Sequence, residues 1–512
     1  MLLYGCSRST QGRLSFRFTG DLHFHIRQKR LGVYSGVQLL HTHFAQTILA
    51  LLELEDGTCE RTDETCNPSD WLYTACRKAR PFEQKMPKTV IVIHYHELWL
   101  KGRNRKFFLG KFLLALRRAF ADFPSMRMRQ PGDRVVLEFG FDASLEAIIG
   151  RLKQVSGIAY FAVARSLQRG SQDDLEALCQ ATWEEVAPLE FSNFAVRAKR
   201  SDKSFPHRVD EIERHVGRYL LEKLREASRA VRVQLDDPEM TCRIEITPGP
   251  MLVYARRIPG TGGLPANTTG RMVCLLSGGF DSAVAAYKMM RRGAHVTFVH
   301  FWGGGARPGE SSVHVARALV ERLLPYQLTA RLYLVPFEPI QREIVSAAPE
   351  QYRLLLYRRM MLRIAERIAH RNHAQAIIAG DSLGQVASQT LQNMVAVGAA
   401  SPMPVFRPLA GDDKQEILAL ARRIGTFEIS EEPFQDCCPL FMPRSPALYA
   451  SAAELEEAEA GLNVVELVKQ ATEAMALERY SYSGGRVEHL EAVPTVLSTA
   501  ENSVGQLNEQ KG

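Results

Sequence analysis

The chain has 512 residues, 46% apolar and 24% charged, values of globular proteins that exclude collagen-like and wholly disordered chains. At roughly 100 to 200 residues per domain it has room for three or four domains, and no apolar run approaches the ~18 residues of a membrane span. The formal charge is +7, and residues 86–270 alone carry 29 Lys and Arg against 22 Asp and Glu, so one middle segment holds the whole surplus and points to a polyanion such as nucleic acid.

Residues 1–85 show no sustained period and hold four of the nine cysteines. They are expected to be a poorly ordered extension, added by an early start codon, with one helix at Val37–Glu53. Met86-Pro87 opens a fresh α+β unit over 86–144: strand Thr89–His94, basic loop Lys101–Lys106, helix Phe107–Phe120 and strand Arg134–Phe139. Residues 145–257 form a second α+β unit. Its helices are at Leu145–Gln154, Asp173–Val186 and Val209–Ala227, and its strands at Ile158–Ala164, Phe194–Lys199, Arg243–Ile246 and Met251–Arg256. Residues 258–270, rich in Gly and Pro, read as a linker.

From Arg271 the rhythm becomes strand–helix alternation, with strands at Met272–Leu276, His295–Phe301, Arg331–Pro336 and Ala374–Ala379. Helices fall at Ser282–Arg292, Ser312–Leu324 and Tyr352–His370. Continuous apolar strands separated by helices specify a doubly wound parallel sheet, the α/β class, over 271–446. A helix follows at Asp413–Ile424 with Gly425 after it. Residues 447–512 read as a helical tail, with a Ser451…Glu454 capping box and a frayed end.

Cys274-Leu275-Leu276-Ser277-Gly278-Gly279-Phe280-Asp281-Ser282 leaves a buried strand, turns on two glycines and enters a helix. Backbone N–H groups converge there at the positive end of the helix dipole, a cradle for phosphate. Ser277 and Ser282 supply hydroxyl donors, Gly278 and Gly279 allow close approach, and Asp281 can hold Mg²⁺ between phosphate oxygens. No GxxxxGK[ST] is present, which disfavours Walker-type cleavage of a γ-phosphate. The adjacent Cys437 and Cys438 offer thiolate nucleophiles able to carry a persulfide sulfur. The other cysteines, Cys6, Cys59, Cys66, Cys76, Cys179, Cys242 and Cys274, match neither a disulfide scaffold nor a zinc site. This usage suits a reducing cytoplasm, and the first residues lack the apolar core of a signal peptide.

Ser-Gly-Gly-x-Asp-Ser at a strand-to-helix turn resembles the PP-loop of ATP-dependent adenylating enzymes. In order, Leu100–Arg105, Gly262–Pro265, Cys274–Ser282, His300-Phe301, Arg358–Met361, Gly380–Leu391, Arg407-Pro408-Leu409, Asp413-Lys414 and Asp436-Cys437-Cys438 resemble the tRNA 4-thiouridine synthetase (tRNA uracil 4-sulfurtransferase) family. The resemblance spans Met86 to about Pro446. It implies an N-terminal ferredoxin-like domain and a THUMP RNA-binding domain, both α+β, before a PP-loop ATP pyrophosphatase domain. It also implies ATP contacts at Leu275, Leu276, His300, Phe301, Arg358, Gly380 and Gln389.

ATP with Mg²⁺ would then activate a uridine, and sulfur would come through Cys438, with Cys437 as its alternative or resolving thiol. Many members append a rhodanese domain where this chain has a short tail. Sulfur is therefore expected directly from a cysteine desulfurase, and a role in thiamine thiazole synthesis is disfavoured. tRNA is the expected partner and a homodimer an open option. Lys101, Arg103, Arg105 and Lys106, with Arg197, Lys199, Arg200 and Lys203, are candidate contacts to its phosphates. Two other readings remain: a PP-loop adenylating enzyme with a different nucleophile, and a non-catalytic RNA-binding protein.

Overall fold

The computed structural model describes residues 3–8, 13–18, 23–27, 88–140, 144–170, 174–303, 312–433 and 445–494. Residues 1–85 are a unit of their own, in which β1 (Leu3–Arg8), β2 (Arg13–Phe18) and β3 (His23–Arg27) make an antiparallel meander. Leu14 stands opposite Ile26 and Phe16 opposite Phe24. These three strands fall within the segment read from the sequence as a poorly ordered extension. The helix expected at Val37–Glu53 lies outside the described residues.

Residues 86–512 are the second unit. Its first sheet begins with β4 (Lys88–His94), α1 (Arg105–Ala119), β5 (Arg127–Arg129), β6 (Val135–Glu138), α2 (Leu145–Leu152) and β7 (Tyr160–Leu167). It continues through α3 (Asp174–Val186), β8 (Asn193–Arg200), α4 (Val209–Glu226), β9 (Arg232–Val233), β10 (Met240–Ile246) and β11 (Met251–Tyr254), with β12 (Ile258–Pro259) as a short partner of β7. The strand order is β5-β6-β4-β7-β11-β10-β8-β9. β7 pairs antiparallel with both β4 and β11, so the two α+β halves share one sheet.

The helices bury the faces their spacing dictates: Phe108, Phe112, Ala115, Leu116 and Ala119 on α1, and Ile212, Val216, Leu220 and Leu224 on α4. The basic loop expected at Lys101–Lys106 is instead a 3₁₀ turn over Glu97–Asn104, kinked at Gly102, which runs directly into α1 at Arg105.

The segment read as a linker is no loose tether. A Cβ on Gly260 would lie 2.3 Å from the Ile158 carbonyl oxygen, and one on Gly263 2.0 Å from that of Arg291. Leu264 N–H donates to the Arg291 carbonyl at 2.9 Å, and Gly157 N–H to that of Gly262 at 2.9 Å. A single apolar core runs past this seam, from Ile91, Phe112 and Phe161 through Leu264 to Val284, Phe298 and Leu319.

The second sheet follows the strand–helix rhythm: β13 (Arg271–Leu275), α5 (Phe280–Arg291), β14 (His295–Trp302), α6 (Val313–Leu323), β15 (Thr329–Pro336), α7 (Glu338–Ala347), α8 (Arg353–Arg371) and β16 (Ala376–Ile378). Then come α9 (Leu391–Gly398), β17 (Val405–Phe406), α10 (Lys414–Ile424), α11 (Phe427–Ser430), α12 (Ala452–Glu459), α13 (Val464–Ala474), β18 (Ala476–Ser483) and β19 (Arg486–Pro494). The order is β17-β16-β13-β14-β15-β18-β19, with the first five strands parallel and the last two antiparallel. The chain leaves β13 toward β14 and β15, then returns to β16 on the other side, which makes the end of β13 a topological switch point.

Asp413 and Ser451 cap α10 and α12 in reciprocal capping boxes, and Gly425, at φ 71°, ends α10. The helical tail is corrected beyond Ala474. Gly484 and Gly485, at φ 57° and 75°, form a two-residue turn that folds the tail back as a hairpin on β15. One buried pair ties this region down: Arg359, 1% exposed, meets Glu459 at 2.9 Å, and Arg363 reaches the same carboxylate at 2.7 Å.

Candidate active site

At the carboxyl ends of β13, β14 and β16 a cleft of about 370 Å³ opens, lined by Leu275, Leu276, Ser277, Asp281, Ser282, Phe301, Arg358, Gly380 and Gln389. These nine come from five separate segments, and all are residues singled out from the sequence. Gly278 and Gly279 lie in the same loop, with Gly279 as the N-cap of α5.

The loop is internally braced. Ser282 Oγ accepts from the Ser277 amide at 3.1 Å and lies 3.1 Å from both Ser277 Oγ and the Gly279 carbonyl oxygen. The Gly279 amide donates to Ser277 Oγ at 3.3 Å. The turn therefore keeps its shape while the N-terminal amides of α5 stay directed at the cleft, where the helix dipole favours an anion. Gly380, at the end of β16, packs on this turn so closely that a Cβ would stand 2.7 Å from Ser282 N and 2.8 Å from Ser282 Cα.

His300 does not line the cleft. Along β14 alternate residues face opposite sides, so Phe301 faces the cleft and His300 is fully buried behind it. Its Nδ1 lies 2.8 Å from the Leu276 carbonyl oxygen and its Nε2 2.7 Å from Ser312 Oγ. A carbonyl only accepts, so Nδ1 donates to Leu276, and Nε2 shares the second bond with the Ser312 hydroxyl. The His300 side chain thus braces the strand end that carries the loop, and a nucleotide contact at this position would be made by its backbone.

Across the cleft, Arg358 donates to Ser388 Oγ at 2.8 Å and pairs with Asp381. Asp381 also pairs with Arg407 Nε at 3.1 Å and is 4% exposed. One buried carboxylate thus orients two guanidinium groups at the cleft wall. Lys414 Nζ sits 3.2 and 3.4 Å from the two oxygens of Asp281 and 4.4 Å from the Phe280 ring centre. Asp381, Ser388, Arg407 and Lys414 all stand in the motifs quoted from the sequence, which by itself assigns none of them a role. Gln389 Oε1 is a buried oxygen with no hydrogen-bond partner among the described residues, which leaves an acceptor for a donor on a bound ligand.

Cys437 and Cys438 lie outside the described residues. Cys274 is buried in β13, and burial raises its thiol well above the usual range. Cys179 and Cys242 are buried as well, both pushed up to about 12 chiefly by burial. Thiols held this high resist forming the thiolate, so none of the three suits nucleophilic sulfur chemistry.

The candidate RNA contacts divide. Arg103, Lys106, Arg197, Lys199 and Lys203 are exposed. Lys199 pairs with Asp133 at 3.1 Å and Arg197 donates to the Leu235 carbonyl at 2.6 Å. Arg200 is spent on structure, donating to the Phe205 and His207 carbonyls. Lys101 lies 5.0 Å from the Phe108 ring centre, and Arg105 is half-buried. Among the described residues, no helix is long and apolar enough to cross a membrane.

Residues 90–162 match the ThiI ferredoxin-like domain, 170–255 the THUMP domain and 267–464 the family described as thiamine biosynthesis protein (ThiI). A probable tRNA sulfurtransferase of Thermus thermophilus is 42% identical over 399 residues, covering 78% of this chain and 96% of the relative. One of Moorella thermoacetica is 40% identical, covering 76% and 97%. The crystal structure of a 4-thiouridine synthetase in complex with RNA and bound ATP superposes with a TM-score of 0.67 at 31% identity, over 79% of this chain and all of that one. With a glycine-rich strand-to-helix loop at the switch point of its parallel sheet and these relatives along most of its length, the chain belongs to the tRNA sulfurtransferase family.

Proposed function

We propose that the chain transfers persulfide sulfur to a uridine of tRNA in an ATP-dependent reaction, giving 4-thiouridine. The observation that carries this reading is the cleft itself: a braced Ser277–Ser282 turn at a helix N-terminus, closed by Gly380 and flanked by Arg358. In the related 4-thiouridine synthetase structure the bound molecules are RNA and ATP. Here the α5 amides and Ser277 would hold the phosphates, Arg358 would neutralise them, and the free Gln389 oxygen would accept from the base.

Uracil O4 attacks the α-phosphorus, pyrophosphate leaves, and the oxygen becomes part of an AMP leaving group. The terminal sulfur of a persulfide on Cys438 then attacks C4 and AMP departs. The Cys437 thiolate resolves the resulting mixed disulfide, releasing the thionucleoside and leaving a Cys437–Cys438 disulfide for a thiol reductant to reopen. Asp281, the one loop carboxylate on the cleft, would hold Mg²⁺, which would offset the charge of the departing pyrophosphate. Lys414 orients that carboxylate. A cysteine desulfurase is the proposed donor, and the cytoplasm the proposed compartment.

The test is nucleoside mass spectrometry of unmodified tRNA incubated with the protein, ATP–Mg²⁺, cysteine and a cysteine desulfurase. 4-Thiouridine should appear, and Cys438→Ala should abolish it while pyrophosphate still forms. Full thiolation by the Cys437→Ala/Cys438→Ala variant would overturn the sulfur route, and an undiminished rate in Asp281→Ala would overturn the role of the loop.

A further inference from the structure

A second cavity, of about 530 Å³, lies at the opposite end of the parallel strands from the cleft. Four adjacent strands each send a basic side chain into it: Arg271 from β13, His295 from β14, Arg331 from β15 and Arg479 from β18, with Lys111 of α1 at its margin. Among the described residues, no carboxylate lines it. The register pairs Arg271 directly with His295 and Arg331 directly with Arg479. Arg331 and Arg479 are directly opposed like charges that repel across the ladder, so this pair is unfavourable unless something negative sits on it.

The protein itself supplies little. Arg271 donates to the Asn372 carbonyl at 3.2 Å and Arg331 to Asn372 Oδ1 at 2.6 Å. Each guanidinium has five donors, and Asn372 engages one of each. Arg479 makes no ion pair among the described residues. His295 reports the local potential: burial, with Arg271 and Arg331 beside it, holds the imidazole down to about 4. Its Nδ1 is buried without a hydrogen-bond partner.

We infer that this cavity is a phosphoryl-anion site, distinct from the nucleotide cleft, in which Arg271, Arg331 and Arg479 grip the phosphate oxygens. The planar forks of arginine suit that ligand. The phosphoryl group can be an RNA phosphodiester or free phosphate, and the two are separable by experiment.

Melting temperatures of the full chain are measured in chloride buffer and with added inorganic phosphate, for wild type, Arg479→Gln and Arg331→Gln. In chloride, Arg479→Gln should melt at or above wild type because a repulsion is gone. In phosphate the order should reverse, with wild type gaining a few degrees that the variants do not. Phosphate bound at the Ser277–Ser282 turn raises all three alike and subtracts out. In parallel, tRNA affinity is measured against salt. A two- to tenfold weaker Arg479→Gln complex, with the slope of log K against log salt reduced by about one, identifies an RNA phosphate as the ligand. A phosphate-specific shift with unchanged tRNA affinity identifies the free anion. If wild type and both variants respond alike to phosphate and bind tRNA alike, the inference is wrong. The phosphate arm does not depend on the proposed thiolation, so the failure of one is distinguishable from that of the other.

Discussion

Gly380→Ala is the sharpest probe of the cleft. Gly380 is not among the residues with positive φ, so alanine is conformationally allowed and only space decides. The added methyl would meet Ser282 N at 2.7 Å, Ser282 Cα at 2.8 Å and the Asp281 carbonyl carbon at 2.9 Å. All three are backbone atoms at the first turn of α5, which cannot rotate aside as a side chain would. Overpacking of this kind costs about 1–3 kcal/mol. If the turn yields instead of the sheet, the same energy appears as ATP affinity weakened about 5- to 150-fold. Calorimetric titration with ATP and thermal melting of the free protein read the two routes together. Gly279→Ala is the internal control: a Cβ there stands 3.6 Å from Ser277 Oγ, an ordinary contact, so the free protein should lose no more than about 1 kcal/mol. A Gly380→Ala protein with wild-type melting temperature and wild-type ATP affinity would refute the claim that Gly380 fixes the loop by contact.

Glu459→Gln leaves the buried Arg359 without its counter-charge and should cost about 3–5 kcal/mol in urea unfolding, against which an unchanged midpoint would count. Burial alone would raise the Glu459 carboxyl, but hydrogen bonds from Arg363 and Arg359 more than reverse this and hold it below its usual value. Its contribution is therefore present above about pH 4.5 and lost as pH falls further. His295 acts at higher pH. Its imidazole is held at about 4 against an ordinary 6.5, so the unfolded chain takes up the proton first and stability falls from pH 6.5 downward. In phosphate-free buffer His295→Gln should remove on the order of 2 kcal/mol of the loss between pH 7 and pH 4; an identical pH profile would contradict this. Asp381→Ala frees both Arg358 and Arg407 and should raise KM for ATP tenfold or more in a pyrophosphate-release assay, whereas an unaltered KM would detach that carboxylate from the cleft.

Much of this architecture is written in local pattern. The strands of the parallel sheet are continuous apolar runs, and the two capping boxes at Asp413 and Ser451 mark their helices within a residue. The loop was legible because its chemistry is contiguous: strand, two glycines, two serines and an aspartate in one stretch. What escaped depends on contacts between distant segments. The turn of the His300 side chain away from the cleft follows from the pleat of β14, which the sequence already carries, but its Ser312 partner lies twelve residues on. The ties of Asp381 to Arg407 and of Asp281 to Lys414 span 26 and 133 residues. The Gly484-Gly485 turn was a hairpin signal hidden behind helix-forming residues upstream, and short strands such as β17 draw their stability from pairing rather than propensity.

The clamped seam between the two sheets has a consequence for recognition. A jointed enzyme can bring its reactive centre to many places on a bound partner. Here the Gly260 and Gly263 backbones pack directly against the Ile158 and Arg291 carbonyls, and one core runs past them. The span from the first sheet to the cleft is therefore set by packed contacts rather than by a free linker. On the proposed function, an RNA seated on the first sheet presents to the second only the nucleotide that lies one such span away. The protein would then work as a caliper, the length of its jaw selecting the uridine with no need to read the bases beside it.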